Sequence, residues 1–524
     1  MLFNGGWVAK SLRRFPANEI LILLAVFSTL WLTHLPFLRL PYYWDEAGYY
    51  VPASWDFYHA WALIPTSTPP SGHTPLVMIL VGLAWRVFGC SPLVTRSTLL
   101  MLAAANVAAL NRLGRQVASR EAAFWSALLL AISPVFFAQS TLLHLDLAAA
   151  LFTTLAVLAL GSNRHWSFAV AAALAILSKE TAVVLLPIAW LVEWRRRRGI
   201  ALAEGVALVA PLLPLLAWAC YYHHATGFWT GNREYLSYNV YATLSPARFF
   251  FSLLRRGYEL FIGGFHWLLT AAALVSISWE RKPGRRELGV GSRELGKSPT
   301  PFVGWNGSFA LMATGLIAAN LFLLSAVGGA ILPRYLLPVF PLFYLIAAAI
   351  ALRLPRLAAR LLLAAAACGF VAAWFINPPY PFPFEDNVAY ADFIRLHQQA
   401  AHYLESQPGE PRILTAWPAT DELTKPLLGY VQRPLQAVAV PGFAPQELGR
   451  ALPRSFDLLY FYSRKWEPAN NWTVRFPAWL RLQGRYFDYY PQISEQDLVA
   501  RFHLQLLAAM ELRGQWVRIY RATP

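Results

Sequence analysis

Adjacent carboxylates in an aromatic loop are the residues of this chain best placed to do chemistry. Asp45 and Glu46 lie in the stretch Pro41-Tyr-Tyr-Trp-Asp-Glu-Ala-Gly-Tyr-Tyr50, directly after the first long apolar run. Ionisable side chains near a bilayer are costly, so each is a candidate for function. A carboxylate held there can accept a proton from a hydroxyl group. The pair indicates a catalytic site, although a solvated turn or a helix cap would also place acids here.

Other ionisable side chains recur at the ends of later apolar runs. Helix capping, interfacial ion pairing, membrane anchoring and loop packing are the structural alternatives for them. Acids and bases gathered at one membrane face would suit the binding of a charged lipid head group. The residues concerned are His73, His144, Asp146, Lys179, Glu180, Arg233 and Arg334.

The composition indicates a polytopic membrane protein. Of the 524 residues, 57% are hydrophobic, only 14% are charged and 21 are tryptophan. Soluble domains carry about 25% charged residues, and tryptophan-rich belts are typical of bilayer interfaces. A helix needs about 20 apolar residues to cross a bilayer. We predict about eleven spans, at 18–40, 93–111, 121–139, 146–162, 165–179, 180–194, 200–221, 256–279, 305–328, 334–352 and 357–376.

The run 75–89 is ambiguous, because it is short and contains Arg86. Cytoplasmic loops are enriched in Lys and Arg. If 75–89 crossed the bilayer, most basic clusters would move outside. We therefore predict an external juxtamembrane helix at 75–89, within a first external loop at 41–92. The clusters that this topology places in the cytoplasm include Lys10, Arg13 and Arg14, the run Arg195 to Arg198, and the stretch Arg281 to Lys297.

A proline-rich linker at 377–384 divides the chain. Residues 1–376 form the predicted transmembrane domain, and residues 385–524 have the composition of a soluble domain. Alternating helical and strand patterns there predict an α/β domain on the external side, which in a bacterium is the periplasm. The predicted helices are 386–405, 445–452 and 495–512, and the predicted strands are 412–417, 456–462 and 516–521.

Charge and cysteine usage exclude other classes. The formal net charge of +16 does not indicate nucleic-acid binding, because the basic residues are spread over short loops instead of one face. Cys90, Cys220 and Cys368 lack metal-ligand spacing and are too few for a disulfide framework. No cleavable signal peptide is predicted, because the first apolar run is too long for a signal core.

These motifs, in this order, resemble the GT-C superfamily of integral-membrane glycosyltransferases. Over about residues 15–360 the chain is similar to the family 39 type, which includes protein O-mannosyltransferases and the lipid A aminoarabinose transferase. The β-trefoil insertion usual in protein O-mannosyltransferases is not found here, which weakens protein mannosylation as the activity. The motifs are Trp44-Asp-Glu-Ala-Gly-Tyr49, His73-Thr-Pro75, Leu113-Gly-Arg-Gln116, Ser133-Pro134, the Asp146 loop, Ser178-Lys-Glu180 and Arg334-Tyr-Leu-Leu-Pro338.

The resemblance implies the catalytic and donor-binding roles. Asp45 matches the family's base towards the acceptor hydroxyl, with Glu46 beside it as a second carboxylate. Asp146 matches a catalytic acid that arranges acceptor or donor. Lys179 and Arg334 fall where the family binds the donor phosphate. The implied donor is a polyprenyl-phosphate sugar, and the implied acceptor is a lipid, glycan or protein hydroxyl.

The chemistry of an inverting transfer agrees with these roles. A carboxylate takes the acceptor proton as the hydroxyl attacks the sugar, and Lys or Arg stabilises the charge that builds on the leaving phosphate. No cofactor is certain, and a divalent metal ion held by Asp45, Glu46 and Asp146 is left open. The residues predicted to bind or support the substrate are His73, Glu180, Trp44 and Tyr49.

Two other functions use the same features. A transporter or flippase of a lipid-linked anion would bind its substrate with the same charges, but would show inverted repeats and broken mid-membrane helices. Neither is predicted here. A membrane scaffold whose C-terminal domain binds a partner would have no need of Asp45.

Overall fold

The computed structural model describes residues 17–280, 306–449, 455–468, 471, 475–487 and 489–523. The predicted cytoplasmic cluster of Lys10, Arg13 and Arg14 and the basic stretch Arg281 to Lys297 lie outside these ranges. The described part up to residue 376 is helical. Its helices are α1 Ala17–Thr33, α2 Val51–Ala60, α3 Leu76–Phe88, α4 Pro92–Val117, α5 Arg120–Ile132, α6 Pro134–Gln139, α7 Asp146–Gly161, α8 His165–Ser178, α9 Leu185–Arg197, α10 Leu202–Val209, α11 Leu212–Thr226, α12 Arg233–Asn239, α13 Pro246–Phe261, α14 His266–Glu280, α15 Asn306–Ala326, α16 Phe340–Ala351 and α17 Arg356–Ala373.

The longest helix, α4, lies at the centre of the bundle and packs against α1, α5 and α7. It begins where Ser91 caps the backbone N–H of Val94 and Pro92 occupies the first turn, both common start signals. Gly114 lets α5 approach closely, because a Cβ there would lie 2.7 Å from the Cα of Ala123. The glycine of the Leu113-Gly-Arg-Gln116 motif therefore has a packing role.

The predicted apolar runs form helices in the structure. The count of eleven membrane spans stays a prediction. Among the described residues, four helices are long and apolar enough to cross a membrane: Pro92–Val117, Leu202–Thr226, Gly307–Ala326 and Arg356–Ala373. The ambiguous run 75–89 forms α3, a helix of 13 residues. Five shorter apolar helices are Asn18–Thr33, Leu76–Phe88, Asp146–Gly161, His165–Ser178 and Phe340–Ala351.

The predicted span at 256–279 corresponds to a bent pair of helices. Helix α13 begins ten residues earlier, at Pro246, and meets α14 at a bend of 43°. The polar side of α13 faces the protein, since Arg248 and Arg256 are buried while Phe250 and Leu254 are exposed. Because these polar residues interrupt the apolar run, hydropathy alone does not identify the first half of α13 as part of the helix.

The C-terminal part is an α/β domain, as predicted. Its helices are α18 Ala389–Glu405, α19 Ala419–Thr424, α20 Pro445–Leu448, α21 Pro477–Phe487 and α22 Glu495–Phe502, and its strands are β1 Ile413–Ala416, β2 Ala437–Val440, β3 Leu458–Tyr462, β4 Leu504–Leu512 and β5 Gln515–Ala522. The sheet order is β2-β1-β3-β5-β4. Strand β1 is parallel to β2 and β3, whereas β5 is antiparallel to β3 and β4.

The single helix predicted at 495–512 is wrong, because α22 ends at Phe502 and β4 follows. Strand β4 consists largely of helix-forming residues, but it pairs with β5. Arg513 and Gly514 between them both have positive φ, as a tight hairpin turn requires. Hairpin pairing therefore overrides local helix propensity.

The C-terminal domain packs directly on the loop that carries Asp45. The Tyr430 hydroxyl donates to the Tyr42 carbonyl over 3.0 Å, and the Tyr42 N–H donates to the Leu428 carbonyl. The Trp417 ring lies 2.7 Å from where a Cβ on Gly48 would be. Only a residue without a side chain fits there, so the loop and the domain are in close contact.

A fully buried ion pair holds this loop against the bundle. The Arg96 guanidinium on α4 donates to both carboxylate oxygens of Glu46, at 3.0 and 3.3 Å. The same carboxylate accepts from the backbone N–H groups of Tyr43 at 2.8 Å and Leu143 at 2.6 Å. Both ion-pair side chains are 0% exposed. The bonds of Glu46 thus tie together the first loop, α4 and the segment before α7.

Replacing Glu46 with Ala should destabilise the protein more than it alters chemistry. The change leaves the Arg96 charge buried without its partner, which costs about 3–5 kcal/mol. Thermal unfolding of the purified protein, followed by tryptophan fluorescence, measures the effect. The matched control is Glu121→Ala, which breaks the exposed pair with Arg360 (2.8 Å) and should change little. Equal unfolding temperatures for the two variants, with only Glu46→Ala inactive, would instead place Glu46 in the reaction.

Candidate active site

The structure brings together four of the predicted site residues: Asp45, Asp146, Lys179 and Arg334. Arg334 Nη2 donates to the Asp45 carboxylate. The Arg334 Nε lies 3.8 Å from Asp146 Oδ2, and Lys179 Nζ donates to Asp146 Oδ1 over 2.6 Å. Lys179, Asp146 and Arg334 are buried, while the Asp45 side chain is 22% exposed. Asp45 is thus the most accessible carboxylate of a chain of alternating charges.

Each of these residues lies where a regular element starts or stops. Asp45 precedes a wide helical turn at Glu46–Tyr50, and Asp146 is the first residue of α7, where the positive end of the helix dipole favours an anion. Lys179 has extended backbone directly after α8. Arg334 lies in a short 3-10 helix, Pro333–Leu336, that precedes α16. Bonding groups left free at such ends make them suited to hold polar ligands.

Three cations surround one aromatic ring, that of Tyr335. Lys179 Nζ lies 3.8 Å from the ring centroid, and the guanidinium carbons of Arg334 and Arg256 lie 5.4 and 5.8 Å from it. Arg256 is 0% exposed, and its Nε and Nη1 have no hydrogen-bond partner among the described residues. Sequence reasoning counted Arg256 only as the start of a span. The signal that could have found it is the polar periodicity of Arg248, Arg256 and their neighbours.

Sequence reasoning also missed a carboxylate, Glu385. It lies in the short 3-10 helix Phe384–Asp386, and its Oε2 accepts from Arg334 Nη1 over 3.0 Å. Burial raises the pKa of the Glu385 carboxyl to about 7, and the Arg334 guanidinium opposes that rise. Two adjacent acids, Glu385 and Asp386, directly after a proline-rich exit from the apolar region were the available signal, parallel to that of Asp45.

His144 lies beside Glu385 and is neutral. Its Nδ1 donates to Gln139 Oε1 over 2.6 Å, and its Nε2 is 3.9 Å from Glu385 Oε2. Burial, aided by the Arg334 and Lys179 charges, holds the pKa of the imidazole well below its usual value. The unprotonated Nε2 is therefore an acceptor that points at the Glu385 carboxyl.

His73 and Glu180 form a separate pair at the edge of this cluster. His73 Nδ1 lies 3.0 Å from Glu180 Oε1, and both side chains are partly exposed. Tyr235 of α12 packs edge-on against His73. His73 also borders a recess whose walls include Phe57 of α2 and Trp218 of α11. His73 thus connects this largely apolar recess to Glu180, the sequence neighbour of Lys179.

The remaining predicted residues face elsewhere. Glu46 is bonded to Arg96 of α4. Trp44 packs against Trp417 of the C-terminal domain at 5.2 Å between ring centroids, and Tyr49 packs against the same ring at 6.0 Å. Both aromatic side chains therefore support the contact between the loop and the domain.

A metal site built from Asp45, Glu46 and Asp146 is not assembled. Glu46 turns to Arg96, and the two aspartates meet Arg334 and Lys179 instead of each other. Within the described ranges, no group of three or more His, Cys, Asp or Glu side chains is arranged to hold a metal ion.

One family model matches the chain. Residues 72–224 match the family described as dolichyl-phosphate-mannose-protein mannosyltransferase. This segment contains His73, Asp146, Lys179 and Glu180 but neither Asp45 nor Arg334. No curated protein matches the chain by sequence.

The fold of ArnT is shared over nearly the whole chain. ArnT from Cupriavidus metallidurans bound to undecaprenyl phosphate superposes with a TM-score of 0.54 and 13% identity, covering 96% of this chain and 98% of that one. The same values hold for its apo state. The oligosaccharyltransferase AglB from Archaeoglobus fulgidus, in complex with an inhibitory peptide and a dolichol-phosphate, gives a TM-score of 0.42 at 13% identity, covering 83% and 65%. The chain is an integral membrane protein with the fold of GT-C glycosyltransferases, and it resembles the protein mannosyltransferases and ArnT.

Proposed function

We propose that the protein transfers a sugar, with inversion, from a polyprenyl-phosphate donor to an acceptor hydroxyl at the external face of the membrane. The observation that carries this proposal is the continuous chain from Asp45 through Arg334 and Asp146 to Lys179. It links an accessible carboxylate, suited to a base, to a group of cations suited to a phosphate. The mannosyltransferase family model and the ArnT fold, seen with undecaprenyl phosphate, support the same donor class.

In the proposed reaction, Asp45 is the base. The acceptor O–H gives its proton to the Asp45 carboxylate while the oxygen forms a bond to the sugar C1. The bond between C1 and the phosphate oxygen breaks, and its electron pair stays on the lipid phosphate. A direct displacement of this kind inverts the configuration at C1.

Lys179, Arg256 and Arg334 are the proposed phosphate ligands. Charge-assisted bonds from such groups stabilise a leaving phosphate most strongly when they are preorganised and shielded from water. All three are buried, and Arg256 keeps donor atoms free of partners among the described residues. The phosphate would be bound around the Tyr335 ring.

Arg334 connects donor binding to the activity of the base. The Arg334 guanidinium is bonded to the Asp45 carboxylate, so that the proposed base is held by one of the proposed phosphate ligands. A donor phosphate competes for the same guanidinium and frees Asp45 to accept a proton. We therefore expect the donor to bind before the acceptor reacts.

The proposed setting is a bacterial plasma membrane, with the active site and the C-terminal domain (385–524) on the periplasmic side. The transmembrane domain is residues 1–376, and the linker is 377–384. The donor sugar is a hexose, such as mannose, and the acceptor is a lipid, glycan or protein. The recess next to His73 is the proposed entrance for one substrate, because it is largely apolar and because His73 pairs with Glu180, the sequence neighbour of Lys179.

Asp45→Asn should abolish transfer while donor binding persists. The amide cannot take the acceptor proton, and loss of a general base lowers the rate about 10²–10⁴-fold. Purified protein in lipid nanodiscs, offered a panel of radiolabelled undecaprenyl-phosphate sugars and membrane extracts as acceptors, provides the assay. Asp56→Asn is the matched control, because Asp56 lies in the same loop but accepts from the backbone of Thr66 and Ser67. Full transfer by Asp45→Asn would remove Asp45 as the base.

Arg256→Gln should weaken the binding of undecaprenyl phosphate. Loss of a charge-assisted bond, worth about 1.5–3 kcal/mol, corresponds to roughly 10–150-fold in Kd. The control is Arg255→Gln on the same helix, since Arg255 is bonded to Glu259 at 2.9 Å. Titration of both variants with undecaprenyl phosphate in nanodiscs decides the matter. Equal affinities for the two would exclude Arg256 from the phosphate site.

A further inference from the structure

Glu385 reaches the active site from a part of the chain that no sequence motif marks. It directly follows the proline-rich linker and precedes α18 of the C-terminal domain. Its side chain is 5% exposed, one carboxyl oxygen accepts from Arg334 Nη1 at 3.0 Å, and the other, Oε1, has no partner among the described residues. A buried carboxyl with an unused oxygen next to the proposed phosphate ligands is a costly arrangement.

The backbone around Glu385 is held rigidly. Gln139 Nε2 donates to the Glu385 carbonyl at 3.2 Å. On the following residues, Asn387 Nδ2 donates to the Ala373 carbonyl at the end of α17, and the Tyr390 hydroxyl bonds to Thr141 Oγ1 over 2.8 Å. Glu385 is therefore placed by both domains.

We propose that Glu385 is a positioning residue: in its neutral form it holds Arg334 ready for the donor phosphate, and in its ionised form it competes with that phosphate for Arg334. The proposal rests on the proposed function, because it concerns the same donor site. Geometry supports both halves of it. A neutral carboxyl accepts from Arg334 through Oε2 and carries its proton on Oε1, which has no partner among the described residues.

The charge balance of the site explains why ionisation matters. With Glu385 neutral, two carboxylates, those of Asp45 and Asp146, share the Arg334 charge. Ionised Glu385 adds a third carboxylate to the same guanidinium, which then has less charge to offer an anion. Since burial raises the pKa of Glu385 to about 7, both forms exist near neutral pH. The titratable and charged groups around it are Tyr43, Asp45, His144, Asp146, Lys179, Arg334 and Asp386.

Binding of the donor phosphate should weaken as the pH rises. Below pH 7 the carboxyl is neutral and the site binds the phosphate; as pH rises through 7 the competent fraction falls. Apparent Kd varies inversely with that fraction, so affinity should drop about tenfold between pH 6 and pH 8. Undecaprenyl phosphate itself titrates near pH 6. The effect of Glu385 is therefore measured as the ratio of the wild-type Kd to the Glu385→Gln Kd at each pH. The titration of the lipid affects both Kd values equally and cancels in this ratio.

The experiment measures undecaprenyl phosphate binding to the full chain in nanodiscs from pH 6 to pH 8. Glu385→Gln, which keeps an acceptor for Arg334 but cannot ionise, should bind as wild type does at pH 6 and about tenfold better at pH 8. Glu385→Ala should bind more weakly than Glu385→Gln at every pH, because the acceptor for Arg334 Nη1 is lost. The matched control is Glu422→Gln in the same domain, an equally buried acid paired with His397 at 2.6 Å, which should keep the wild-type pH dependence.

A measurement on the wild type does not depend on the folding of any variant. Infrared difference spectra should show a protonated carboxyl band that is lost between pH 6 and pH 8, and undecaprenyl phosphate should move that loss to higher pH, because coupling is reciprocal.

Three results would overturn the inference. They are the same pH dependence in wild type and Glu385→Gln, equal affinity of the Gln and Ala variants, and a carboxyl band unmoved by the lipid. In each case the wild type still binds the lipid, so the proposed function survives. A wild type that binds no undecaprenyl phosphate at any pH would overturn the proposed donor, and the inference with it.

Discussion

The arrangement of the site depends on one guanidinium that three carboxylates share. Arg334 contacts Asp45, Asp146 and Glu385, which come from the first loop, the start of α7 and the segment after the linker. A buried cation needs such partners, because its desolvation is otherwise uncompensated. Arg334 therefore brings three distant parts of the chain to one point and sets the charge that a ligand meets there.

A second buried pair fixes the frame around that point. Glu46 and Arg96 hold the first loop to the central helix α4. The two adjacent carboxylates therefore have different roles: Glu46 stabilises the fold, while Asp45 contacts Arg334. The inward polar face of α13 adds Arg256 from another side. Arg334 and Arg256 thus approach the Tyr335 ring from two different parts of the chain.

The sequence predicted the helical membrane fold, the C-terminal α/β domain and the convergence of Asp45, Asp146, Lys179 and Arg334. Charges at the ends of apolar runs are visible to hydropathy reasoning, which is why these were found. Arg256 was not predicted as a site residue, because it lies inside a helix whose polar side faces the protein interior. Glu385 was not predicted either, since its adjacent acids suggest a site but only tertiary packing shows that the segment after the linker returns to Arg334. Strand β4 was read as a helix because its residues favour helices and only its pairing with β5 makes it a strand.

The position of Glu385 shows that the boundary between the domains by composition differs from the boundary of the active site along the chain. Composition divides the chain at the prolines of 377–384, yet the residue that bonds Arg334 comes after them, and Tyr390 still bonds to the membrane domain through Thr141. A chimaera that exchanges C-terminal domains between related proteins at the proline segment would import a foreign residue into the site. The junction that keeps the site intact lies within α18, beyond Tyr390.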